Sequence, residues 1–518
     1  MGSTKILWVD DEIESLTSQI MFLENKGYEV ATKTNGFDAV EFVKENPVDV
    51  VLLDETMPGI TGLQTLQQIK EINSNLPVVL ITKNEAENIM DDAIGSQISD
   101  YLIKPVNPNQ VLLSLKKLID NKRLVAEKTT STYQQEFRSL FMALNDNPDY
   151  NGWMDIYKKL VYWELEMQKS DSPEMQEVFQ TQKTEANTEF FKFIAKNYSS
   201  WVGPKSTDSP IMSHNLLKFK VLPHIEKGTP LFFILIDNLR LDQWKTIQPI
   251  FAESFRILEE ETFYSILPTA TQYARNAIFA GLLPVDIEKQ FPVQWKNDDE
   301  EGGKNLFEEE FFKDQLKRSG KGDLKYSYTK ITNNHDGQKL VDNIHNMMQN
   351  DINIIVYNFV DMLSHARTEM EVLKELAGDE TSYRSITESW FEHSPLHQAL
   401  KKIADKKINL IVGTDHGSVR VKTPAKVIGD KQTTANLRYK HGRNLNYEPK
   451  DVLAFKDPRE AGLPVPNVNS SFIFGKGDIF LCYPNNYNHF VNYYRNTFQH
   501  GGISLEEMII PVIRMTSK

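Results

Sequence analysis

The stretch INLIVGTDHGS, Ile408–Ser418, decides how the chain is read. Ile408, Leu410, Ile411 and Val412 suit a buried strand, while Gly413, Thr414 and Gly417 suit a turn that exposes Asp415 and His416 at its end. A carboxylate beside an imidazole at a strand end is a ready pair of metal ligands. The same design recurs upstream. PLFFILIDNLRLDQW is an apolar strand ending at Asp237, and INIIVYNFVDMLSH runs from a strand into Asp361 and His365, which share one side if the chain turns helical there. YSILPTATQYARNAIFAGLLP places Thr271 at the head of a helical stretch, whose backbone N–H groups and positive dipole end would face a phosphate. The Gln499-His500-Gly501-Gly502 turn supplies the last imidazole. Together these residues sort into two cation sites, one of Asp361, His365 and His500, the other of Asp237, Asp415 and His416 with Thr271 bridging toward it. Mixed imidazole and carboxylate sets suit two Zn²⁺ ions, with Mn²⁺ as the alternative.

Ahead of this region, short apolar runs alternate with helical periods from Lys5 to about Asn121: KILWVDD, YEVATKT, VDVVLLDETMPG, LPVVLIT and DYLIKP, each followed by a helix. Such alternation predicts a doubly wound parallel sheet of five strands, with its ligand crevice at their carboxyl ends. Those ends carry Asp10, Asp11, Asp54, Thr82 and Lys104. The carboxylates can hold one Mg²⁺ while Asp54 attacks a phosphoryl group whose oxygens meet Lys104 and Thr82.

Between the two α/β segments the pattern is helical throughout. Tyr133, Phe137, Leu140, Phe141 and Leu144 form one apolar stripe, Trp153, Ile156, Tyr157, Leu160 and Val161 a second, and Met175, Phe179, Gln182, Ala186, Phe190 and Ile194 a third. Three amphipathic helices predict a small bundle serving as spacer or dimerisation element. The expected domains are therefore 1–121, 122–205 and 206–518.

A length of 518 residues is too great for one core, and 40% apolar content is ample for several. The formal charge of -13 argues against broad nucleic-acid binding, and the C-terminal part offers no short helix-turn-helix segment. Cys482 stands alone, so no disulfide framework exists within the chain. No apolar run is long enough to span a bilayer, and the N-terminal apolar segment is too short for a signal peptide; a cytoplasmic protein is expected.

The first segment resembles the receiver domain of two-component response regulators, including the MPGITG turn and the Lys104-Pro105 dipeptide. The resemblance implies Asp54 as phosphoacceptor, Asp10 and Asp11 as magnesium ligands, Thr82 as switch hydroxyl, Tyr101 as the aromatic that changes rotamer, and a sensor histidine kinase as partner. From about Lys220 onward, the order Asp, Thr, Asp-xxx-His, Asp-His, His resembles the alkaline phosphatase superfamily. This implies Thr271 as nucleophile in a two-metal displacement on phosphodiesters of nucleotides or oligonucleotides. The whole chain resembles PorX-type response regulators with a PglZ effector, which act in control of type IX secretion. Dimerisation on phosphorylation is expected, and the alternative function is a non-catalytic regulator that binds a sigma factor. One departure stands out: related phosphodiesterases carry an Asn three residues after the nucleophile, where this chain has Ala274. Arg275 and Asn276 are expected to substitute. Arg240, Lys440, His441 and Arg443 are expected to meet a polyanionic substrate, whereas Arg420 and Lys422 read as a solvated loop.

Overall fold

A computed structural model describes residues 4–73, 76–83, 98–168, 173–203, 208–298, 300–361, 363, 378–430, 433–467 and 469–518. The chain divides into two compact units at Gln135/Glu136, so the helix Asn121–Asn145 runs across the division.

In the first unit, strands β1 (Lys5–Val9), β2 (Glu29–Lys33), β3 (Val50–Asp54), β4 (Val78–Thr82) and β5 (Asp100–Ile103) form a parallel sheet in the order β2-β1-β3-β4-β5. Alternate residues of one strand face opposite sides. Leu7 and Val9 join Val51 and Leu53 in one core, while Ile6 and Trp8 join Val50 and Leu52 in the other. Helices Thr17–Asn25, Gly36–Glu45, Gly62–Ile72 and Pro108–Leu115 accompany the sheet. The helix expected between β4 and β5 falls on residues outside the described ones. Gly62 is fixed by close approach: a Cβ there would lie 2.5 Å from the Asp54 carbonyl oxygen. Thr61 and Gln64 then close a capping box that starts the helix directly behind Asp54.

The second unit holds the helices Tyr150–Gln168 and Pro173–Val202 together with a six-stranded sheet. The third apolar stripe is buried as expected from Phe179 through Ile194. Trp153 meets Phe190 edge-on at 5.3 Å between the two helices. Phe141 departs from its expected stripe and is 45% exposed, because it lies one residue round from the buried Leu140. In the sheet, Tyr326–Ile331, Ile352–Tyr357, Leu231–Ile236 and Asn409–Gly413 run parallel in that order. Ile509–Ser517 and Phe255–Tyr264 add antiparallel strands at the far edge. The two middle strands of the parallel set are buried along their whole length, which is why they read as unbroken apolar runs. Asp237, Asp361 and Asp415 all follow carboxyl ends of parallel strands, and Asp237 and Asp415 meet there.

Candidate functional sites

In the first unit, one ligand oxygen each from Asp10, Asp11 and Asp54 lie within 4.8 Å of one another. Lys104 Nζ bridges Asp10 Oδ2 at 2.8 Å and Asp54 Oδ1 at 3.0 Å. Burial raises the Asp54 carboxyl above its ordinary value, with Lys104 opposing. For Lys104, burial works against the charge but hydrogen bonds to Asp10 and Asp54 outweigh it and raise the ammonium. Three acids around one ammonium leave excess negative charge that suits a hard dication. Thr82 is buried at the end of β4, and Tyr101 is 40% exposed on β5.

The second unit gathers Asp237, Asp415 and His416, whose ligand atoms also lie within 4.8 Å. Thr271 opens the helix Thr271–Ala280 and is half-buried. Its hydroxyl donates to Asp237 Oδ1 at 3.3 Å and lies 3.1 Å from His416 Nε2. The ring tautomer follows from the other nitrogen: His416 Nδ1 sits 3.1 Å from the Gly417 carbonyl, which only accepts, so Nδ1 carries the proton and Nε2 offers its lone pair. His500 repeats the device, with Nδ1 at 3.2 Å from the Thr269 carbonyl and Nε2 at 3.5 Å from Asp361 Oδ1.

Each carboxylate of the first set is half committed. Asp415 Oδ1 accepts from the N–H groups of Asn238 and His416, at 3.2 and 3.1 Å. Its Oδ2 is buried and receives no hydrogen bond among the described residues. On Asp237, Oδ2 accepts from Arg275 Nη1 at 2.6 Å, while Oδ1 faces Thr271. A buried carboxylate oxygen without a donor is costly, and a divalent cation is the group that would satisfy it. Burial, then the neighbouring Asp237, push the Asp415 carboxyl well above the ordinary range. Burial holds His416 below its ordinary value, hence neutral and ready to ligate. Asp361 and His500 form the second set, while His365 lies outside the described residues.

Matches to known families cover these two sites and the helices between them. A model described as the BREX system PglZ alkaline phosphatase-like domain matches residues 216–515, more than half of the chain. The chain belongs to the PglZ family. The PorX response regulator linker domain matches 123–202 and the response regulator receiver domain matches 6–116. The order of receiver, linker and PglZ domain is thus the expected one. Among curated proteins, the chain is similar to the transcriptional regulatory protein ZraR of Klebsiella oxytoca, with 36% identity over 26% of this chain and 30% of that one. It is also similar to the transcriptional regulatory protein SrrA of Staphylococcus aureus, with 28% identity over 31% and 70%. The chain therefore spans less than a third of the length of ZraR. A CheY-like receiver domain protein from Methanospirillum hungatei JF-1 aligns at a TM-score of 0.23 and 23% identity, covering 23% of this chain and 96% of that one.

Within the PglZ domain, several residues expected to meet substrate are engaged elsewhere. Arg275 is buried between Asp237 and Glu308, with Nε donating to Glu308 Oε1 at 2.5 Å. Asn276 is buried too, its amide donating to the carbonyls of Gln272 and Lys304 and its oxygen accepting from Asn305. Neither stands in for the Asn that Ala274 replaces. Arg240 is 1% exposed and pairs with Asp242 and Glu380. Lys440 donates to the Thr434 carbonyl and lies over the Tyr483 ring, and burial pushes its ammonium down to about 7. His441 is buried against Phe472, whereas Arg443 is exposed. An acid's need for a partner had no local signal, so the sequence reading missed Glu308, and likewise Asn305, which donates to the Thr271 carbonyl. Glu507 escaped it for the same reason, although it accepts from the Gly502 N–H and fixes the turn that carries His500. No helix among the described residues is long and apolar enough to cross a membrane.

Proposed function

We propose that this response regulator is phosphorylated on Asp54 by a sensor histidine kinase, dimerises, and thereby controls a PglZ-domain phosphodiesterase acting on nucleotide or oligonucleotide diesters. The observation that carries the reading is the Thr271 hydroxyl, 3.3 Å from Asp237 Oδ1 and 3.1 Å from His416 Nε2, beside the orphaned Asp415 Oδ2. Asp237, Asp415 and His416 would hold one cation, and Asp361 and His500, with His365, another; Zn²⁺ is the favoured metal and Mn²⁺ the alternative. Such ions supply positive charge that favours an ionised threonine oxygen and a departing alkoxide.

The protein's own groups do the rest. Thr271 Oγ1 attacks phosphorus as the bond to the leaving oxygen breaks, and water later cleaves the phosphothreonine. Arg275 fixes Asp237 through Oδ2, so that Oδ1 stays turned toward the hydroxyl. The Thr269 and Gly417 carbonyls hold both imidazoles in one tautomer. Diesters are favoured over monoesters, because Arg275 and Lys440 are committed elsewhere and leave a dianion without added positive support. In the receiver, Asp10 and Asp11 would hold Mg²⁺ beside Asp54. Control of type IX secretion follows the resemblance to PorX-type regulators.

The test is metal analysis of gently purified protein followed by hydrolysis of a chromogenic phosphodiester. Two Zn²⁺ per chain with turnover support the reading. Fewer than one zinc or manganese per chain sinks it in favour of a non-catalytic regulator that binds a sigma factor.

A further inference from the structure

The three turns that carry the PglZ ligands share one neighbour. After Asp237, the Asn238 N–H donates to Asp415 Oδ1 and the Leu239 N–H to Thr414 Oγ1, and the chain then reaches Arg240. Gly417, next to His416, packs so tightly that a Cβ would lie 2.0 Å from the Glu506 carbonyl oxygen and 3.3 Å from Arg240 Cγ. The Arg240 guanidinium also lies 5.0 Å from the ring of Phe498, two residues before His500. Arg240 thus packs beside the turns of both candidate sets, and Glu506 backs the turn that carries His416.

The linker helices hold Glu506 directly and reach Arg240 through Arg384 and Asp242. Lys183 Nζ bridges Glu164 Oε2 at 2.8 Å and Glu506 Oε1 at 3.0 Å. Arg384 Nη1 continues from Glu164 Oε1 at 3.1 Å to Asp242 Oδ2 at 2.9 Å, and Arg240 Nε grips Asp242 Oδ1 at 2.8 Å. Asn187 adds a clamp, donating to Glu506 Oε2 at 3.2 Å and accepting from the Leu505 N–H at 2.8 Å. Glu164, Asp242 and Glu380 are close enough to suggest a metal triad, but Lys183, Arg240 and Arg384 already neutralise them. The side chains of this chain of charges are nearly all buried, so each is held by the next rather than by water.

We infer that Glu164 and Lys183 of the linker are positioning residues for the PglZ site, which makes the linker part of the hydrolase frame and not a spacer. The inference rests on the reading of that site as a two-cation phosphodiesterase.

Full-length protein loaded with Co²⁺ gives the test, because the visible absorption of cobalt reports its coordination. Lys183→Met is expected to alter that spectrum and to lower diester turnover ~10-fold at unchanged KM, because Glu506, which backs the His416 turn, loses its cation. Lys183→Arg restores both. Lys192→Met, an exposed site on the same helix, leaves both as in the parent. If Lys183→Met fails to fold by circular dichroism, Glu164→Gln, which keeps the side-chain shape, takes its place. A folded variant with the parent spectrum and turnover overturns the inference alone. A parent protein that takes up no cobalt overturns both this inference and the phosphodiesterase reading.

Discussion

His416 and His500 stack face to face, with ring centroids 4.3 Å apart and planes within 19°. Each turns Nε2 toward a different carboxylate, His416 toward Asp237 at 3.6 Å and His500 toward Asp361 at 3.5 Å. The two ligand sets thus adjoin across a pair of imidazoles, with Thr271 on the His416 side. That adjacency is what a displacement with separate charge for the attacking and leaving oxygens requires.

Thr271 tests the division of labour. Asp237, Asp415 and His416 remain when its hydroxyl is removed, so Thr271→Ala is expected to keep its metals while diester turnover falls ~10³-fold or more. Metal analysis and hydrolysis on the same sample check this. Unchanged turnover would remove threonine from the role of nucleophile and leave water to attack directly.

Asp415 makes cation uptake pH-dependent. Burial and Asp237 raise its carboxyl, so the metal-free site keeps its proton to higher pH than an ordinary aspartate does, and over that range a cation must displace it. Zinc affinity is expected to rise with pH until the folded-state titration is complete. Calorimetry in two buffers of different ionisation enthalpy should give different heats. Identical heats would show that no proton leaves.

The candidate carboxylate ligands were legible in sequence because they stand past apolar runs, and a polar residue at the end of a buried parallel strand has few purposes. Asp237, Asp361 and Asp415 were found that way, as were Asp10 and Asp54. The roles of the cations were not. Arg240 and Arg275 look available to a substrate when read locally, yet Glu380, 140 residues from Arg240, and Glu308, 33 from Arg275, bury and neutralise them. Such pairings are made by the tertiary fold and leave no period or spacing to read. Lys440 misled for a related reason: a strand of the sequence YKHG gives no sign that its lysine faces inward under Tyr483.

Arg275 links ligand geometry to stability. Glu308 accepts from Arg275 through Oε1 and from Tyr328 and Lys330 through Oε2, and only Arg275 joins it to Asp237 among these three. Arg275→Met leaves the buried Asp237 Oδ2 without its donor and Glu308 with only Tyr328 and Lys330, and is expected to cost ~3–5 kcal/mol of stability. Arg275→Lys keeps a charge but not the two-sided fork, so it is expected to fold better and still bind zinc more weakly than the parent. Denaturant melts and competition with a chelator separate the two effects. Parent-like zinc affinity in the lysine variant would mean that Asp237 needs no fixing.

Phosphorylation is expected to act through Asp54 alone. Acetyl phosphate or beryllofluoride with Mg²⁺ should modify the parent and shift it from monomer toward a symmetric dimer, and Asp54→Ala should abolish both. Intact mass and light scattering provide the two readings. Labelling without a change in solution mass would leave the phosphoacceptor standing and remove the dimer.

Lys440 predicts an alkaline gain in stability. Burial brings its folded-state value down to about 7, while the unfolded side chain keeps its proton to near the ordinary 10.5. Between those values the unfolded chain binds more protons than the folded one, so stability rises with pH across that window. Below about 7 both forms are charged, and the whole cost of burying the ammonium is present. Lys440→Met removes the charge and keeps most of the volume over Tyr483, giving up one hydrogen bond to the Thr434 carbonyl. It is expected to be more stable than the parent at neutral pH by on the order of 1–4 kcal/mol, with the advantage shrinking as pH approaches the upper value. Melting curves of the two proteins across the window measure the difference directly, and groups common to both cancel. Parallel curves would mean that Lys440 keeps its proton in the folded chain, which would return it to the set of cations available to a polyanionic substrate.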